Sequence, residues 1–285
     1  MFQITYQKSG SSNWSVHHVF EKFHSIFSDK YESEYVPPIF LSESGGIHSP
    51  HIMTITNKNN GKYLIVSYWD RPSDFFYSGI GWNPEKMVSL ITSSGIDDDI
   101  EHTPFSYVCY TTDFDIYSKE NKIDLENKKN NELIFRGYLY GDRLSLSKIG
   151  KININSDMIR PHSDYYNDLT NTKICLSLNG AGEICNRDIE ILSAGSVLFR
   201  PKLKQKFHNE LKENFHYVPF DYHPDPNIQS DIILSKYNEI KDNYDLLNEV
   251  SKNGYQWFLE NGTIDSNVKI LNEIINEDVI KKLIN

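Results

Sequence analysis

The sequence predicts an α/β fold, and three observations carry the prediction. Residues 173–220 open with a strand–turn–helix–strand unit. In it, Ile174, Leu176 and Leu178 alternate as in a strand, Asn179-Gly180-Ala181-Gly182 turns the chain, residues 183–193 follow a helical pattern, Gly195 stops the helix, and residues 196–200 begin the next strand. A second apolar run, Tyr63-Leu64-Ile65-Val66-Ser67-Tyr68-Trp69, ends in Asp70-Arg71-Pro72, as a buried strand ends in a polar loop. Between the two, residues 117–132 are charged, rich in asparagine and nearly free of large apolar side chains, which reads as an exposed linker between two α/β halves.

The elements follow in order. Residues 2–6 read as a short strand. Trp14, Val19, Phe20, Phe23, Ile26 and Phe27 recur at helical spacing, with Ser12 or Asn13 as cap. Residues 36–41 and 52–56 are strand candidates ahead of the run at 63–69. Asn83-Pro84-Glu85 opens a helix with proline at its first position, and 105–110 is a further strand. In the second half, Leu133-Ile134-Phe135-Arg136-Gly137 is a strand running into a turn, 142–149 a short helix and 216–220 a strand. Helices over 228–241, 245–259 and 267–283 close the chain. The expected division is 1–130 and 131–262, with 263–285 a terminal helix packing back on the first unit.

Composition narrows the function. With 39% hydrophobic residues the 285-residue chain can bury a core, and 13% aromatic residues include flat faces suited to sugar rings. Lys and Arg total 29 against 39 Asp and Glu, and a net charge of −10 argues against a nucleic-acid surface while leaving room for a local arginine pocket. Cys109, Cys175 and Cys185 are odd in number and lack zinc-site spacing; Cys109 and Cys175 read as small core residues, and all three as reduced thiols of a cytoplasmic protein. The start, MFQITYQKSG, has no signal-peptide pattern, and no stretch reaches the roughly 20 apolar residues of a membrane span.

Candidate chemistry lies at element ends. Arg136, Arg143 and Arg187 sit at turn positions of the second half, where fixed guanidinium groups can hold a diphosphate and stabilise it as a leaving group without a metal. The competing reading pairs Arg143 with Asp142, and Arg187 with Asp188 or Glu190, as ordinary local ion pairs. Asp70, with Asp74 as the alternative, is placed to take a proton from a hydroxyl, or else to satisfy turn amides before Pro72. His17-His18 and His48-x-x-His51 lack an acidic partner at a ligand spacing, which leaves a metal-dependent hydrolase on His48 and His51 a remote option. His216 starts a strand and reads as structural. Asn179-Gly180-Ala181-Gly182 is only a faint echo of a dinucleotide fingerprint.

The ordered set Phe135-Arg136-Gly137, Arg143, Lys173-Ile174-Cys175-Leu176, Arg187, residues 192–199 and His216-Tyr217-Val218-Pro219 resembles the family-90 glycosyltransferases, the protein O-glucosyltransferase and capsule-associated xylosyltransferase type. The tail, residues 249–258, looks like that family's closing helix, so the resemblance covers roughly half the chain. It implies a GT-B fold, two Rossmann-like domains facing across a cleft. It implies inverting, metal-independent transfer of xylose or glucose from a UDP-sugar donor to a hydroxyl of a glycan or glycoconjugate acceptor. Carried over by position, Asp70 is the general base, and Arg143 and Arg187 face the diphosphate. Gly137, Tyr138 and the turn Gly180, Gly182 and Glu183 lie near the donor, and Arg136 braces the turn or joins them. The family's serine-rich turn before the key arginine is here Gly182-Glu183-Ile184-Cys185-Asn186. The alternative is a catalytically inactive carbohydrate- or nucleotide-sugar-binding protein of the same fold.

Overall fold

The computed structural model describes residues 1–8, 15–37, 51–68, 85–92, 102–104, 125–155, 162–180, 183–204 and 209–285. The first half contains β1 (Phe2–Thr5), α1 (Ser15–Ser28), β2 (Ser33–Val36), β3 (Ile52–Asn57), β4 (Tyr63–Ser67), β5 (Met87–Thr92) and β6 (His102–Pro104). The second contains a 3-10 turn (Leu125–Asn127), β7 (Ile134–Arg136), α2 (Gly141–Ile149), β8 (Asn153–Asn155), α3 (His162–Asn171), β9 (Ile174–Leu176), α4 (Asn186–Ser193), β10 (Val197–Pro201) and β11 (Val218–Phe220). Four helices follow: α5 (Pro226–Ile240), α6 (Tyr244–Asn261), α7 (Ile264–Ile274) and α8 (Glu277–Ile284).

The first sheet has the order β2-β1-β3-β4-β5-β6. It is mixed, because β3 runs antiparallel to both β1 and β4 while the remaining pairs are parallel. Only five residues, 58–62, join β3 to β4, a length that closes a hairpin but cannot make a parallel crossover. The helical spacing of α1 buries Val16, Val19, Phe20, Phe23 and Phe27 against Ile4, Met53, Ile55, Leu64 and Val66. Val268, Leu271, Ile280 and Leu283 from the chain end complete the same core. The first unit is therefore built from both ends of the sequence.

The second sheet, β11-β10-β9-β7-β8, is parallel throughout. Successive strand residues divide between its faces. Ile134, Cys175 and Leu198 pack with α3, α4 and Trp257 and Phe258 of α6. Phe135, Ile174, Leu176, Val197 and Phe199 pack with α2 and α5. The strand order reverses between β7 and β9, and in doubly wound sheets the crevice at the carboxyl ends beside such a reversal is where ligands bind.

Several expectations are corrected. Glu85 and Lys86 form a turn and the chain enters β5, not a helix; the run Met87-Val88-Ser89-Leu90-Ile91-Thr92 pairs with β4, and this pairing outweighs the proline signal. The stretch read as a linker is not exposed throughout. Leu125 is fully buried, and the Lys128 ammonium donates to the Thr170 and Ala194 carbonyls and to Ser196 Oγ, at 2.7, 2.9 and 3.0 Å. Leu125 packs in the core of the second unit. Burial pulls the Lys128 pKa down to about 8. The terminal helix is two helices, because Asn276 accepts from the Asp278 and Val279 N–H groups and starts α8 afresh. β8 and α3 were not foreseen. The strand candidate at 105–110 lies outside the described residues, as do Cys109, Trp69 and residues 38–41.

A buried side chain ties the two units together. Asn267 of α7 donates to the Asn261 and Thr263 carbonyls at 2.8 and 2.9 Å and accepts from Tyr68 Oη at 2.9 Å. Tyr68 follows β4, so the strand leading to Asp70 is keyed to the end of α6.

The same edge of the first sheet carries a pH dependence. His51, whose carbonyl accepts from Tyr68 N–H, has its pKa lowered to about 4 by burial and by the charge of buried His17. The folded state resists protonating a ring that the unfolded chain protonates near 6.5. This stability is therefore complete above pH 6.5 and lost as the pH falls toward 4, a loss of roughly 2–3 kcal/mol after allowance for partial exposure. Urea unfolding between pH 7 and 5 is expected to show falling stability in the native protein and a flatter profile in His51→Gln. Equal slopes would remove His51 as the cause.

Candidate functional site

The site starts at the end of β7. Phe135 is fully buried beneath two cations, with the Arg187 guanidinium 4.1 Å and that of Arg143 5.6 Å from its ring centroid. Gly137, at φ 150, makes room for the first of them. A β-carbon at Gly137 would stand 1.7 Å from Arg187 Nη2, so any side chain there evicts the guanidinium. Arg187 Nε donates to the Arg136 carbonyl at 2.5 Å, which locks the group over the turn. Arg136 itself pairs through Nη2 with Asp168 at 2.9 Å and braces the turn from the α3 side.

Arg143, in the first turn of α2, is also buried. Its Nη2 donates to the Leu178 carbonyl at 2.7 Å, its Nη1 reaches the Tyr138 carbonyl at 3.5 Å, and its plane lies 4.8 Å from the Tyr140 ring centroid. A β-carbon at Gly180 would meet Tyr140 Oη at 3.2 Å and Arg143 Nη2 at 3.3 Å, so the turn after β9 passes closely over the same cation.

Neither cation is neutralised by the acids expected beside it. Among the described residues, Arg143 and Arg187 make no ion pair. Asp188 pairs with Arg200 at 3.0 Å, Glu190 accepts from Tyr165 Oη at 2.5 Å, and Asp142 accepts from Tyr222 Oη at 2.8 Å. The local reading thus fails as contact ion pairs, although Glu190 and Asp188 still act on Arg187 through space. Arg143 Nε and Arg187 Nη1 are buried without a hydrogen-bond partner. Burial works against the Arg187 charge, but Cys185, Tyr165, Glu190 and Asp188 outweigh it and raise its pKa, so the guanidinium stays charged. Two fixed cations at a strand-order reversal, each with a buried N–H group that lacks a partner, are of the type that pairs with an anion of two acceptor centres, and a diphosphate has that form.

The helix carrying Arg187 begins at Asn186, later than the helical pattern from 183 suggested, which puts Arg187 in its first turn. Its start is held by a charge that sequence reasoning missed. Arg200, 1% exposed in the middle of an apolar strand, contacts Asp188, the Glu183 carbonyl at 2.8 Å, the Pro201 carbonyl at 3.1 Å and Asn179 Oδ1 at 3.3 Å. Asp188 also accepts the Cys185 N–H at 2.7 Å. Arg200 therefore holds Asn179 and Glu183 together with the start of α4. The signal was available: an arginine inside Val197-Leu198-Phe199 and Pro201 must be buried and so must be paired.

The remaining predicted residues fall as follows. Tyr138 is 65% exposed at the rim, and the Glu183 carboxylate is engaged by the Lys204 N–H at 2.9 and 3.1 Å. Asp70, Asp74, His48 and Gly182 lie outside the described residues. His216 Nδ1 accepts from Lys212 N–H at 2.9 Å, a local turn bond. Cys175 and Cys185 are buried free thiols; burial pushes Cys175 up to about 12 and raises Cys185, so both stay protonated. Among the described residues, no three His, Cys, Asp or Glu side chains are grouped to hold a metal, and no helix is long and apolar enough to cross a membrane.

No family model and no curated protein matches the chain. Solved structures do. An alpha-glucosyltransferase in complex with UDP-glucose and DNA containing an abasic site aligns over 96% of this chain and 99% of its own, at 8% identity and a TM-score of 0.53. The alpha-glucosyltransferase with UDP and a 13-mer DNA containing a HMU base aligns over 95% and 98%, at 10% identity and a TM-score of 0.52. The pneumococcal O-GlcNAc transferase GtfA, in complex with UDP and GlcNAc, aligns over 90% of this chain and 55% of its own, at 10% identity and a TM-score of 0.48. The likeness over nearly the whole length of the first two, with the two α/β units described above, shows that this chain has the GT-B fold.

Proposed function

We propose that the protein is a glycosyltransferase that moves a sugar, xylose or glucose, from a UDP-sugar to a hydroxyl of a glycan or glycoconjugate. The observation that carries this reading is the pair of buried guanidinium groups of Arg143 and Arg187, neither in a contact ion pair among the described residues, at the β7/β9 reversal of a GT-B fold. A pyrophosphate between them is bound in the ground state and stabilised further as charge develops on the departing oxygen. The resemblance of residues 133–220 to family-90 glycosyltransferases supports the same donor and adds inversion without a metal. The net charge of −10 favours a glycan over a nucleic-acid acceptor.

In this mechanism Asp70 removes the acceptor proton, the acceptor oxygen attacks the anomeric carbon from the face opposite the diphosphate, and Arg143 and Arg187 hold UDP as it leaves. Asp70→Asn is expected to lower transfer roughly 10²- to 10⁴-fold with UDP binding retained, as read by a turnover assay beside calorimetry. Near-normal turnover would remove Asp70 from the role. Proton NMR of the product tests the stereochemistry: inversion gives the anomer opposite to the donor's, and a product with the donor's configuration rejects it. A binding protein without catalysis differs by failing even to hydrolyse the donor slowly in water.

A further inference from the structure

Arg187 has two acids close by on its own helix, Asp188 beside it and Glu190 three residues on. Residues three apart on a helix lie side by side, so Glu190 is placed to pair with Arg187. Both are buried, and Arg187 Nη1 lacks a hydrogen-bond partner. A contact pair nevertheless does not form. We propose that the Tyr165 hydroxyl prevents it: by holding the Glu190 carboxylate, Tyr165 keeps Arg187 open for the diphosphate of a nucleotide sugar. Tyr165 is then a positioning residue, acting on the ligand through Glu190 and Arg187. The inference rests on the donor reading above and adds the group that keeps its cation available.

Geometry is the first support. Tyr165 Oη donates to Glu190 Oε2 at 2.5 Å, short as a bond to a charged acceptor is. The ring packs, partly buried, against the core that includes Ile189 and Leu192 of α4, which fixes the hydroxyl relative to the helix that carries both charges. Burial, and after it the Glu190 charge, raise the Tyr165 pKa, so the phenol stays protonated and keeps donating. The Arg187 charge acts on the same phenol in the opposite sense, which places hydroxyl, carboxylate and guanidinium in one group.

The second support is that the other acid is occupied in the same way. Asp188 is taken by Arg200 of β10 and by the Cys185 N–H. Each acid near Arg187 thus has a donor of its own, one from β10 and one from α3. The helix α3 also contributes Asp168, three residues after Tyr165 and so on the same face. Asp168 pairs with Arg136, whose carbonyl accepts from Arg187 Nε. One helix face therefore serves the cation twice, by engaging its competing acid and by bracing the turn that seats it.

The third support is what removal of the hydroxyl must do. A buried carboxylate that loses a donor is left short of hydrogen bonds, at a large cost. The open donor one turn back on α4 is Arg187 Nη1. A guanidinium engaged in this way about nine-tenths of the time lowers the apparent affinity for an anion about tenfold, because only the open fraction binds.

The test is calorimetry of the whole chain with UDP and uridine, on Tyr165→Phe, Glu190→Gln and the two combined. Tyr165→Phe is expected to bind UDP about tenfold more weakly and uridine within about twofold of the native protein. Glu190→Gln keeps an acceptor for Tyr165 and is expected to bind UDP at least as tightly as the native protein, because it removes a negative charge near the diphosphate; this reading does not depend on the folding of Tyr165→Phe. The double variant is expected to regain UDP affinity to within about threefold of native, since no carboxylate is left to compete. A hydroxyl that served packing alone would give no such rescue, because the double variant lacks it too. UDP and uridine weakened together, no rescue, weaker UDP binding in Glu190→Gln, or normal UDP binding in Tyr165→Phe would each overturn the proposal. Arg187→Ala run in parallel separates the two claims: if it leaves UDP binding intact, the donor reading itself fails, whatever Tyr165 does.

Discussion

Arg187→Ala is expected to weaken UDP binding roughly 10- to 100-fold and to leave uridine binding within about twofold, because it removes charge-assisted hydrogen bonds made only to the diphosphate. Gly137→Ala is expected to produce a comparable loss with every charge still present. Its new β-carbon occupies the place of Arg187 Nη2, so the guanidinium must leave its seat on Phe135 and give up the Arg136 carbonyl. The paired result matters more than either alone. Loss in Arg187→Ala with normal binding in Gly137→Ala would show that the charge is needed but its position is not. Equal losses for UDP and uridine in either variant would place the diphosphate elsewhere. Calorimetry with UDP, UMP and uridine reads all three outcomes.

Asp188→Ala is expected to cost about 3–5 kcal/mol of folding stability, measured by denaturant unfolding, because it strands the Arg200 cation in the core. Both partners are 1% exposed, so water cannot substitute for the lost carboxylate. Removing the cation as well should restore most of the loss: Asp188→Ala with Arg200→Met replaces a buried pair by apolar groups, an exchange that is often neutral or stabilising. UDP affinity is not expected to recover with stability. The double variant still lacks the contacts to Asn179, the Glu183 carbonyl and the Cys185 N–H that hold these residues and the start of α4. A single variant within about 1 kcal/mol of the native protein, or a double variant that binds UDP normally, would show that the buried pair serves the core alone.

β7, β9, β10 and β11 of the second half were legible because they are short, largely apolar and closed by a turn signal, as parallel strands buried on both faces are, whereas β8, Asn153-Ile154-Asn155, carries one apolar residue and was not foreseen. Arg143 and Arg187 could be singled out as turn cations, yet their partners could not. Whether Arg187 paired with Asp188 or with a ligand depended on Arg200, thirteen positions further on, which takes the acid. The helix expected at Asn83-Pro84-Glu85 failed for a related reason: local signals fix φ and ψ for a few residues, whereas pairing with β4 supplies hydrogen bonds along the whole of β5. The break between α7 and α8 was hidden because the apolar spacing runs on across Asn276.

The sequence alone settled that this chain is α/β with two units, since periodicity and turn residues act locally and need no partner to be recognised. Only the tertiary structure decided which charges remain open at the β7/β9 reversal, and that the last two helices return to complete the first core. Burial and pairing are decided by groups far apart in the chain, and the free energy of a charge depends on what surrounds it more than on its neighbours in sequence.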